Sequence, residues 1–569
     1  MTIPTPAEVL ALLQSGDLID LIKPKLSTAP ADLLLVAAVD LHNAGQYRLH
    51  DIFETPQFKA LADRRLLAAQ YFFSDAIPLL TVSVPEMLAF VVGLESPPDA
   101  SFSNPVHRTA LALWLKEDLA RAREVVALAR TGDSEAIKAL ALALRALADA
   151  ALSRGFVTAF TDERRGYGLW ALSDMAHPSA ADRDATVAML AGLVAGSCDD
   201  SLRASTLDTV IGVFKTAKLP LTPAALDVAR SALAGAGDQT LHRAAQALWA
   251  DRPTLDKNLL NILLPPLTAL NPANAGTIGS LDMGLSQLVD AGFTDEAIDF
   301  VADFFKAAGG AMRLGALDMF VPTLFRNSAA FDRALVTWLL AGDHALASGL
   351  LSQMHHLDDA AHARTIDLSG FGLTPERRIS LCLRAISYLF IYPVLAASMV
   401  VSVRRSIDGK FAQATEDLLF DPLLTSYGDK LLAYLEAIPK ADPAYPTVRR
   451  ALRRRKAYFE GLRAVGFIKE LAPPERHVQA AHDLRQDEMR RAHEASQQQS
   501  PLLGAISRSV VLYGRSTVSY QYVADGKRTL NENHMHTFST SWSEARALHL
   551  DPFGLEEQML IYRTAPIAP

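Results

Sequence analysis

Six apolar helical runs in this chain end in glycine, and a new amphipathic run begins shortly after each of them. The glycines are Gly16, Gly45, Gly132, Gly237, Gly292 and Gly342. Glycine suits the left-handed backbone conformation just past a helix C-terminus. In four of these turns the next residue is an aspartate, which suits the N-cap of the following helix. The aspartates are Asp17, Asp133, Asp238 and Asp343. The repeated turn therefore predicts units of helix, tight turn and antiparallel helix.

The hairpin around Gly292 resembles the helical hairpin of tetratricopeptide-type repeats. The residues that carry this likeness are Ala291, Gly292, Asp295, Glu296 and Ala297. The stretch 200–255 is more similar to HEAT-type helix pairs. Hairpins of this kind cannot bury their apolar faces alone, so the resemblance implies that neighbouring pairs stack. Because the glycines follow no fixed period, we predict a mainly α, α-solenoid-like but irregular stack of helix pairs. The alternative is an irregular globular all-α domain.

Changes in composition divide the chain into three predicted regions. Residues 1–445 are rich in the helix formers Ala and Leu and form the helical-repeat-like body. Residues 446–500 form a charged helical segment that ends in a linker, "SQQQS". Residues 501–569 form a small β-rich or α+β module: "RSTVSYQYV" alternates polar and apolar residues, "ADGK" is a hairpin signal, and "QMLIYRT" has the composition of a strand.

The segment 385–403, "AISYLFIYPVLAASMVVSV", contains no charged residue. Roughly 20 apolar residues span a bilayer, so a membrane segment is one interpretation. Pro393 lies in its middle, however, and Arg384 and Arg404 flank its two ends, so that no membrane orientation is specified. We therefore favour a pair of short buried helices that are broken at Pro393.

Charge and cysteine content narrow the class of protein. The formal net charge is -8, whereas a dedicated nucleic-acid binder is usually basic, so nucleic acid is not an expected partner. Cys198 and Cys382 are too few for a disulfide framework and fit a reducing compartment. The N-terminal residues lack a basic region followed by a long apolar core, so we expect no secretory signal. We predict a cytoplasmic protein.

The segment 339–362 holds four histidines and three aspartates and is the first candidate metal site. On one continuous helix, His355, Asp359 and His362 would share a face, and imidazole and carboxylate groups are suitable zinc ligands. Asp358 and Asp359 favour a helix start over a helix interior, however. We therefore interpret the segment as two helices and a turn, which removes His355 from the shared face.

The second candidate metal site is "NENHMHTFS" in the C-terminal region. On a strand, His534 and His536 point to the same face, and such pairs can bind a divalent metal. Further ligands would have to come from elsewhere, and two half-exposed histidines beside a turn are the simpler interpretation. We find no phosphate-binding glycine loop, dinucleotide-binding motif, nucleophile elbow or CxxC pair, so no cofactor is predicted.

A basic run is the candidate site for contact with a partner. Its leading residues are Arg449, Arg450, Arg453 and Arg454. Arginine pairs bidentately with phosphates and carboxylates, so the run fits an acidic protein, nucleic acid or anionic lipid headgroups. The alternative is a solvated helix face that is balanced by the acidic body of the same chain.

These observations favour a protein-binding or scaffolding function that uses the surface of the helical stack, with a protein as the partner. No strong motif indicates catalysis. The alternative function is a metal-dependent or transferase-type enzyme whose site lies around His534 and His536.

Overall fold

The computed structural model describes residues 5–22, 33–61, 63–95, 106–196, 198–354, 357, 362–407, 411–466, 474–499, 516–522, 528–534 and 545–567. In this part of the chain the structure is mainly helical, which confirms the mainly α part of the predicted fold class, whereas the solenoid-like stacking stays a prediction. The chain divides into two compact units, Met1–Leu357 and Asp358–Pro569. The divisions predicted at residues 445 and 500 follow composition, and they stay predictions.

The helices of the first unit are α1 (Pro6–Ser15), α2 (Leu18–Leu21), α3 (Leu33–Asn43), α4 (Pro56–Lys59), α5 (Asp63–Ala76), α6 (Val84–Gly93), α7 (Val106–Glu117), α8 (Leu119–Thr131), α9 (Ser134–Leu147), α10 (Ala150–Ala159), α11 (Glu163–Asp174), α12 (Ala180–Ala195), α13 (Asp200–Ala217), α14 (Pro223–Leu233), α15 (Asp238–Ala250), α16 (Lys257–Leu267), α17 (Ala275–Asp290), α18 (Thr294–Ala308), α19 (Phe320–Arg326), α20 (Ser328–Ala341) and α21 (His344–Ser352). Short 3₁₀ helices cover Leu49–Glu54, Ile77–Leu79, Arg252–Thr254 and Leu314–Ala316.

Most of the predicted turns between these helices have the expected backbone. Left-handed φ values occur at Gly16, Gly45, Gly132, Gly292 and Gly342. Asp133 caps α9 by accepting hydrogen bonds from the N–H groups of Glu135 and Ala136, and Asp343 caps α21 in the same way. Asp17 occupies the N-cap position of α2, but its side chain makes no capping hydrogen bond. Local capping rules therefore account for most of these helix boundaries.

The prediction for the turn at Gly237 was wrong. The left-handed residue is Gly235, with a φ of 73°, whereas Gly237 has a φ of -94° and precedes the helix. Asp238 is the first residue of α15 and does not cap it. The carboxylate of Asp200, on α13, accepts the N–H groups of Gly237 and Gln239 instead, both at 2.8 Å. The free N–H groups at this helix start are therefore bonded by a side chain from another helix, which a local capping rule cannot predict.

Helices of the first unit pack in two alternating series. In one series α7, α9, α11, α13, α15, α17 and α19 each pack on the next member. In the other, α10, α12, α14, α16, α18 and α20 do the same, and helices that are consecutive in the chain pack across the two series. Apolar side chains fill the space between the series, and Phe214 and Phe304 are among the largest that are fully buried. Trp338 is also buried, and its Nε1 donates to the carbonyl of Ile298.

The second unit contains α22 (Pro375–Tyr388), α23 (Pro393–Arg405), α24 (Ala412–Leu418), α25 (Asp429–Glu436), α26 (Tyr445–Val465), α27 (Glu475–Gln499), α28 (Arg546–Leu550), α29 (Pro552–Thr564), β1 (Ser516–Tyr522) and β2 (Arg528–His534). A 3₁₀ helix covers Ser369–Phe371, and a π-helical turn covers Leu419–Leu424.

The apolar run 385–403 forms parts of two separate helices. The helix α22 ends at Tyr388, and α23 begins at Pro393, where proline is tolerated because the first helical N–H has no intrahelical partner. Residues Leu395–Val403 of α23 are all buried. The predicted break at Pro393 is therefore confirmed. None of the helices in the described part of the chain is both long and apolar enough to cross a membrane.

For residues 501–569 the sequence predicts a small β-rich or α+β module, and the described residues do not support the β-rich form. They form one antiparallel hairpin, in which Ser516 lies opposite His534, and two helices. The predicted strand "QMLIYRT" lies in α29, which begins with Pro552 after the capping residue Asp551. This helix packs on α22, where Arg563 donates to the carbonyl of Ser387. The predicted linker "SQQQS" also belongs to a helix as far as Gln499, because glutamine does not break a helix.

Candidate protein-binding groove

A groove of about 450 Å³ lies between α16 and α18 of the first unit. These two helices are neighbours in the second packing series, and each presents one face to the groove. The wall on α16 is formed by Asn261 and Pro265, and Thr268 directly follows the helix. Asn261, Pro265 and Thr268 lie at positions i, i+4 and i+7, which share a helix face. The groove therefore follows about two helical turns, or roughly 10 Å.

The floor of the groove is apolar. Leu260 and Leu264 contribute to it from α16, and Phe300 contributes from α18. All three side chains are buried by their neighbours, with exposed fractions of 0%, 8% and 4%. Phe300 also stacks on Phe304, with ring centroids 5.8 Å apart and planes at 7°. The floor is thus fixed by the core, and it keeps its shape without a ligand.

The wall on α18 is acidic. Glu296, Asp299 and Asp303 line it at positions i, i+3 and i+7. Glu296 is neutralised by Lys257 at 2.9 Å, and Asp295, one residue earlier, pairs with Arg333 at 2.8 Å. Among the described residues, neither Asp299 nor Asp303 has a lysine or arginine at ion-pair distance. Two carboxylates therefore face the groove without a cation of their own.

The environment of Asp299 disfavours its negative charge. Partial removal from water raises the pKa of its carboxyl group, and the nearby carboxylates of Asp295, Asp303 and Glu296 add to the increase. The charge of Arg333 opposes this effect without cancelling it. A cation placed in the groove would stabilise the ionised form, so the electrostatics of the site favour a positively charged ligand.

Two prolines lie in the last turn of α16. These residues, Pro265 and Pro266, carry no N–H group. The carbonyl groups of Asn261 and Ile262 therefore receive no i→i−4 hydrogen bond from within the helix. Pro265 itself lines the groove. Pro265 therefore adds apolar surface to this end of the groove.

The four arginines predicted to contact a partner lie on α26, and the structure separates them into two pairs. Arg450 donates to the buried carboxylate of Glu416 at 2.5 Å, and Arg454 donates to the same residue at 3.2 Å. Arg449 and Arg453 are exposed and have no carboxylate at ion-pair distance in the described part of the unit. Contact of these two arginines with a partner stays a prediction.

The structure does not test either of the two predicted metal sites as a whole. His534 is the last residue of β2, whereas His536, His355 and Asp359 lie outside the described residues. His362 is buried, and its ring packs edge-on against Tyr392 at 5.2 Å. Over the described ranges, no group of three or more His, Cys, Asp or Glu side chains is placed to hold a metal ion. Metal binding at His534 and His536 stays a prediction that metal analysis of the purified protein would test.

Sequence reasoning missed the residues of this groove. Asp295, Asp299 and Asp303 recur at four-residue intervals, which places them on one face of α18. That spacing indicates an acidic helix face. The sequence did not show that α16, which begins 37 residues before α18, would place Leu260 and Leu264 beside this face, because α17 separates the two helices in the chain.

Comparison with known protein families, with curated proteins and with solved structures found no match to this chain. The similarity of its hairpins to tetratricopeptide and HEAT repeats therefore rests on the residues named above.

Proposed function

We propose that this protein binds other proteins, and that the groove between α16 and α18 holds a short basic segment of a partner. The observation that carries the proposal is the pair of carboxylates, Asp299 and Asp303, which line an apolar groove and have no described lysine or arginine within ion-pair distance. The expected segment has an arginine or lysine for the carboxylates and an adjacent apolar side chain for the floor. A groove of roughly 10 Å accommodates about three residues of extended chain.

The spacing of the two carboxylates suits one guanidinium or ammonium group. Residues at i and i+4 on a helix have β-carbons about 6 Å apart, so a single cation can contact both carboxylates. Hydrogen bonds between ionised partners are roughly twice as strong as those between neutral groups. A bound cation would also oppose the rise in the pKa of Asp299 that burial and the neighbouring carboxylates cause. Charge complementarity of this kind contributes to specificity as well as to affinity.

Other ligand classes fit the groove less well. The phosphates of a nucleic acid would be repelled by Asp299 and Asp303. A divalent cation prefers six or more oxygen ligands, and the described residues include no cluster arranged to hold one. A basic peptide uses both the acidic wall and the apolar floor.

The packing order of the helices supports a scaffold for such binding. We propose that the two alternating series from α7 to α20 form an irregular α-solenoid-like stack, as the turns predict. Stacks of this kind present grooves between successive repeats and commonly bind extended partners. The two free cysteines, Cys198 and Cys382, fit the proposal that the protein works in a reducing compartment such as the cytoplasm.

Fluorescence anisotropy with the full-length chain tests the proposed function. The probe is a fluorescein-labelled peptide of alternating leucine and arginine, and its control is the same peptide with citrulline, a neutral isostere, in place of arginine. We expect the arginine peptide to bind about tenfold or more tightly than the citrulline peptide. The double variant Asp299→Asn/Asp303→Asn should lose this preference, because it keeps the shape of the groove and removes both charges.

A matched variant separates the groove from the overall negative charge of the chain. Glu124→Gln/Asp184→Asn removes the same number of charges from exposed positions elsewhere in the first unit. It should bind the arginine peptide like the wild type. Equal weakening by both double variants would show attraction to the whole acidic surface, and the groove proposal would then be wrong. Equal binding of the arginine and citrulline peptides would contradict it as well.

A further inference from the structure

A second pocket, of about 230 Å³, lies near the N-terminal end of the first unit. It is formed where the last turn of α3, the start of the 3₁₀ helix Leu49–Glu54 and α6 meet. Leu80, Val82 and Phe90 give it an apolar wall. Drug-sized ligands occupy pockets of about 300–1,000 Å³, so this pocket suits a smaller molecule.

One polar group of the pocket is a histidine whose protonation is fixed by the backbone. The Nδ1 atom of His42 accepts the N–H group of Leu49 at 3.1 Å. Burial lowers the pKa of His42, so the ring is neutral at physiological pH and its proton lies on Nε2. His42 lines the pocket, and it therefore offers a hydrogen-bond donor to a bound molecule.

A second histidine has an unsatisfied buried nitrogen. His50 also lines the pocket, and its ring packs edge-on against Phe53 with centroids 5.8 Å apart. The Nδ1 atom of His50 is buried, and none of the described residues forms a hydrogen bond with it. Because this nitrogen has almost no surface accessible to solvent, His50 shapes the pocket through its ring and does not offer this atom to a bound molecule.

The pocket also carries one cation and one anion. Arg48 is exposed at its edge, and no carboxylate in the described part of the chain lies at ion-pair distance from it. Glu86 is held in place by a capping box, in which its Oε2 accepts the Ser83 N–H at 3.1 Å and the Ser83 hydroxyl at 2.7 Å. These hydrogen bonds lower the pKa of Glu86, so its carboxylate is ionised.

We propose that this pocket binds a free α-amino acid with an aliphatic side chain. Arg48 and the Nε2–H of His42 bind the carboxylate, Glu86 accepts from the ammonium group, and the apolar wall holds the side chain. An amino acid matches both charges of the pocket. A phosphate or dicarboxylate would be repelled by the negative charge of Glu86, and a simple amine would be repelled by the positive charge of Arg48.

Isothermal titration calorimetry with three related molecules tests this proposal on the full-length protein. L-leucine has both charges, isocaproate lacks the ammonium group, and isoamylamine lacks the carboxylate. We expect leucine to bind and each singly charged analogue to bind about tenfold or more weakly, since a charge-assisted interaction is lost. Absence of a binding heat with leucine and with other aliphatic amino acids would overturn the proposal, as would equal affinity for either analogue.

Three variants locate the binding to this pocket. Arg48→Gln should weaken leucine binding about tenfold or more and leave the affinity for isoamylamine unchanged or higher. Glu86→Gln should weaken leucine binding without removing the capping box, because glutamine also accepts the Ser83 hydrogen bonds. Arg65→Gln is the matched control at an exposed position that pairs with Asp20, and it should bind leucine like the wild type. Wild-type affinity in Arg48→Gln, with melting by circular dichroism unchanged, would contradict the assigned site.

Discussion

The capping of α15 by Asp200 provides a sharp test of how the first unit is held together. Asp200 begins α13, and its carboxylate reaches the start of α15, 37 residues later in the chain. It accepts the N–H groups of Gly237 and Gln239 and the hydroxyl of Thr240, at distances of 2.8, 2.8 and 2.6 Å. A β-carbon at Gly237 would lie 2.7 Å from this carboxylate, so a larger residue there would displace the Asp200 side chain.

The variant Asp200→Ala should lose more stability than a variant of an ordinary helix cap. Replacing a local N-cap by alanine costs about 1 kcal/mol. Asp200 satisfies two free N–H groups and a hydroxyl, and each hydrogen bond to a charged acceptor contributes about 1.5–3 kcal/mol. These contributions are not additive within one cluster. We therefore expect Asp200→Ala to lower the free energy of unfolding by about 3 kcal/mol, compared with about 1 kcal/mol for Asp133→Ala.

The loss of stability caused by Asp200→Ala should depend on pH in a definite direction. Burial alone would raise the pKa of Asp200, but the hydrogen bonds from Thr240, Gln239 and Gly237 outweigh it and lower the pKa. Because the folded-state pKa lies below the unfolded value, the ionised carboxylate stabilises the fold above the unfolded pKa. This contribution is lost as the pH falls through the folded-state pKa. The difference between wild type and Asp200→Ala should therefore shrink in acid.

Urea denaturation combined with amide hydrogen exchange measures both effects. Denaturation gives the stability difference, and exchange reports whether the amides of Gly237, Gln239 and Thr240 lose protection. Asp133→Ala is the control, since Asp133 caps a helix that follows it directly in the chain. The reasoning would be refuted if Asp200→Ala lowered the free energy of unfolding no more than Asp133→Ala does. Unchanged protection at the start of α15 would refute it too.

Four other substitutions have defined outcomes in the same denaturation assay. Gly292→Val should cost about 1 kcal/mol or more, because its φ of 89° is one that β-branched residues avoid. Asp299→Asn should stabilise the fold at neutral pH by a few tenths of a kcal/mol after solvent screening. The reason is that the raised pKa of Asp299 makes its ionisation unfavourable in the folded state. This gain in stability should vanish below about pH 4, where the carboxyl group is protonated in both states. Arg454→Ala should cost about 2 kcal/mol by weakening the pairing of buried Glu416, whereas Arg449→Ala should stay within about 0.5 kcal/mol.

Local signals predicted the helix pairs well. The left-handed glycines at residues 132, 292 and 342 lie at helix ends as the sequence indicates, and Asp133 and Asp343 cap the helices that follow. The break at Pro393 is also where the sequence places it. Each of these features depends on backbone sterics and hydrogen bonds among residues within one turn of each other, so the information is present in a short stretch of chain.

Composition was a weaker guide in the C-terminal region. The segment "QMLIYRT" is apolar and contains residues that are common in strands, but it is only one part of α29. Asp551 and Pro552 start a helix there, and packing on α22 buries Leu555 and Met559. A short apolar run fits either a strand or a buried helix, and tertiary burial decides between them.

The candidate groove could likewise be predicted only in part from the sequence. Sequence alone determines that Asp295, Asp299 and Asp303 share a face of α18, because helical periodicity is a local property. Only the tertiary structure decides that this face lies beside Leu260 and Leu264, which requires α16 and α18 to pack on each other across an intervening helix. The same holds for the cap that Asp200 provides to α15. Short-range hydrogen bonds and sterics set where helices begin and end, whereas the pairing of their faces depends on the burial of apolar surface by the whole unit, which no short segment encodes.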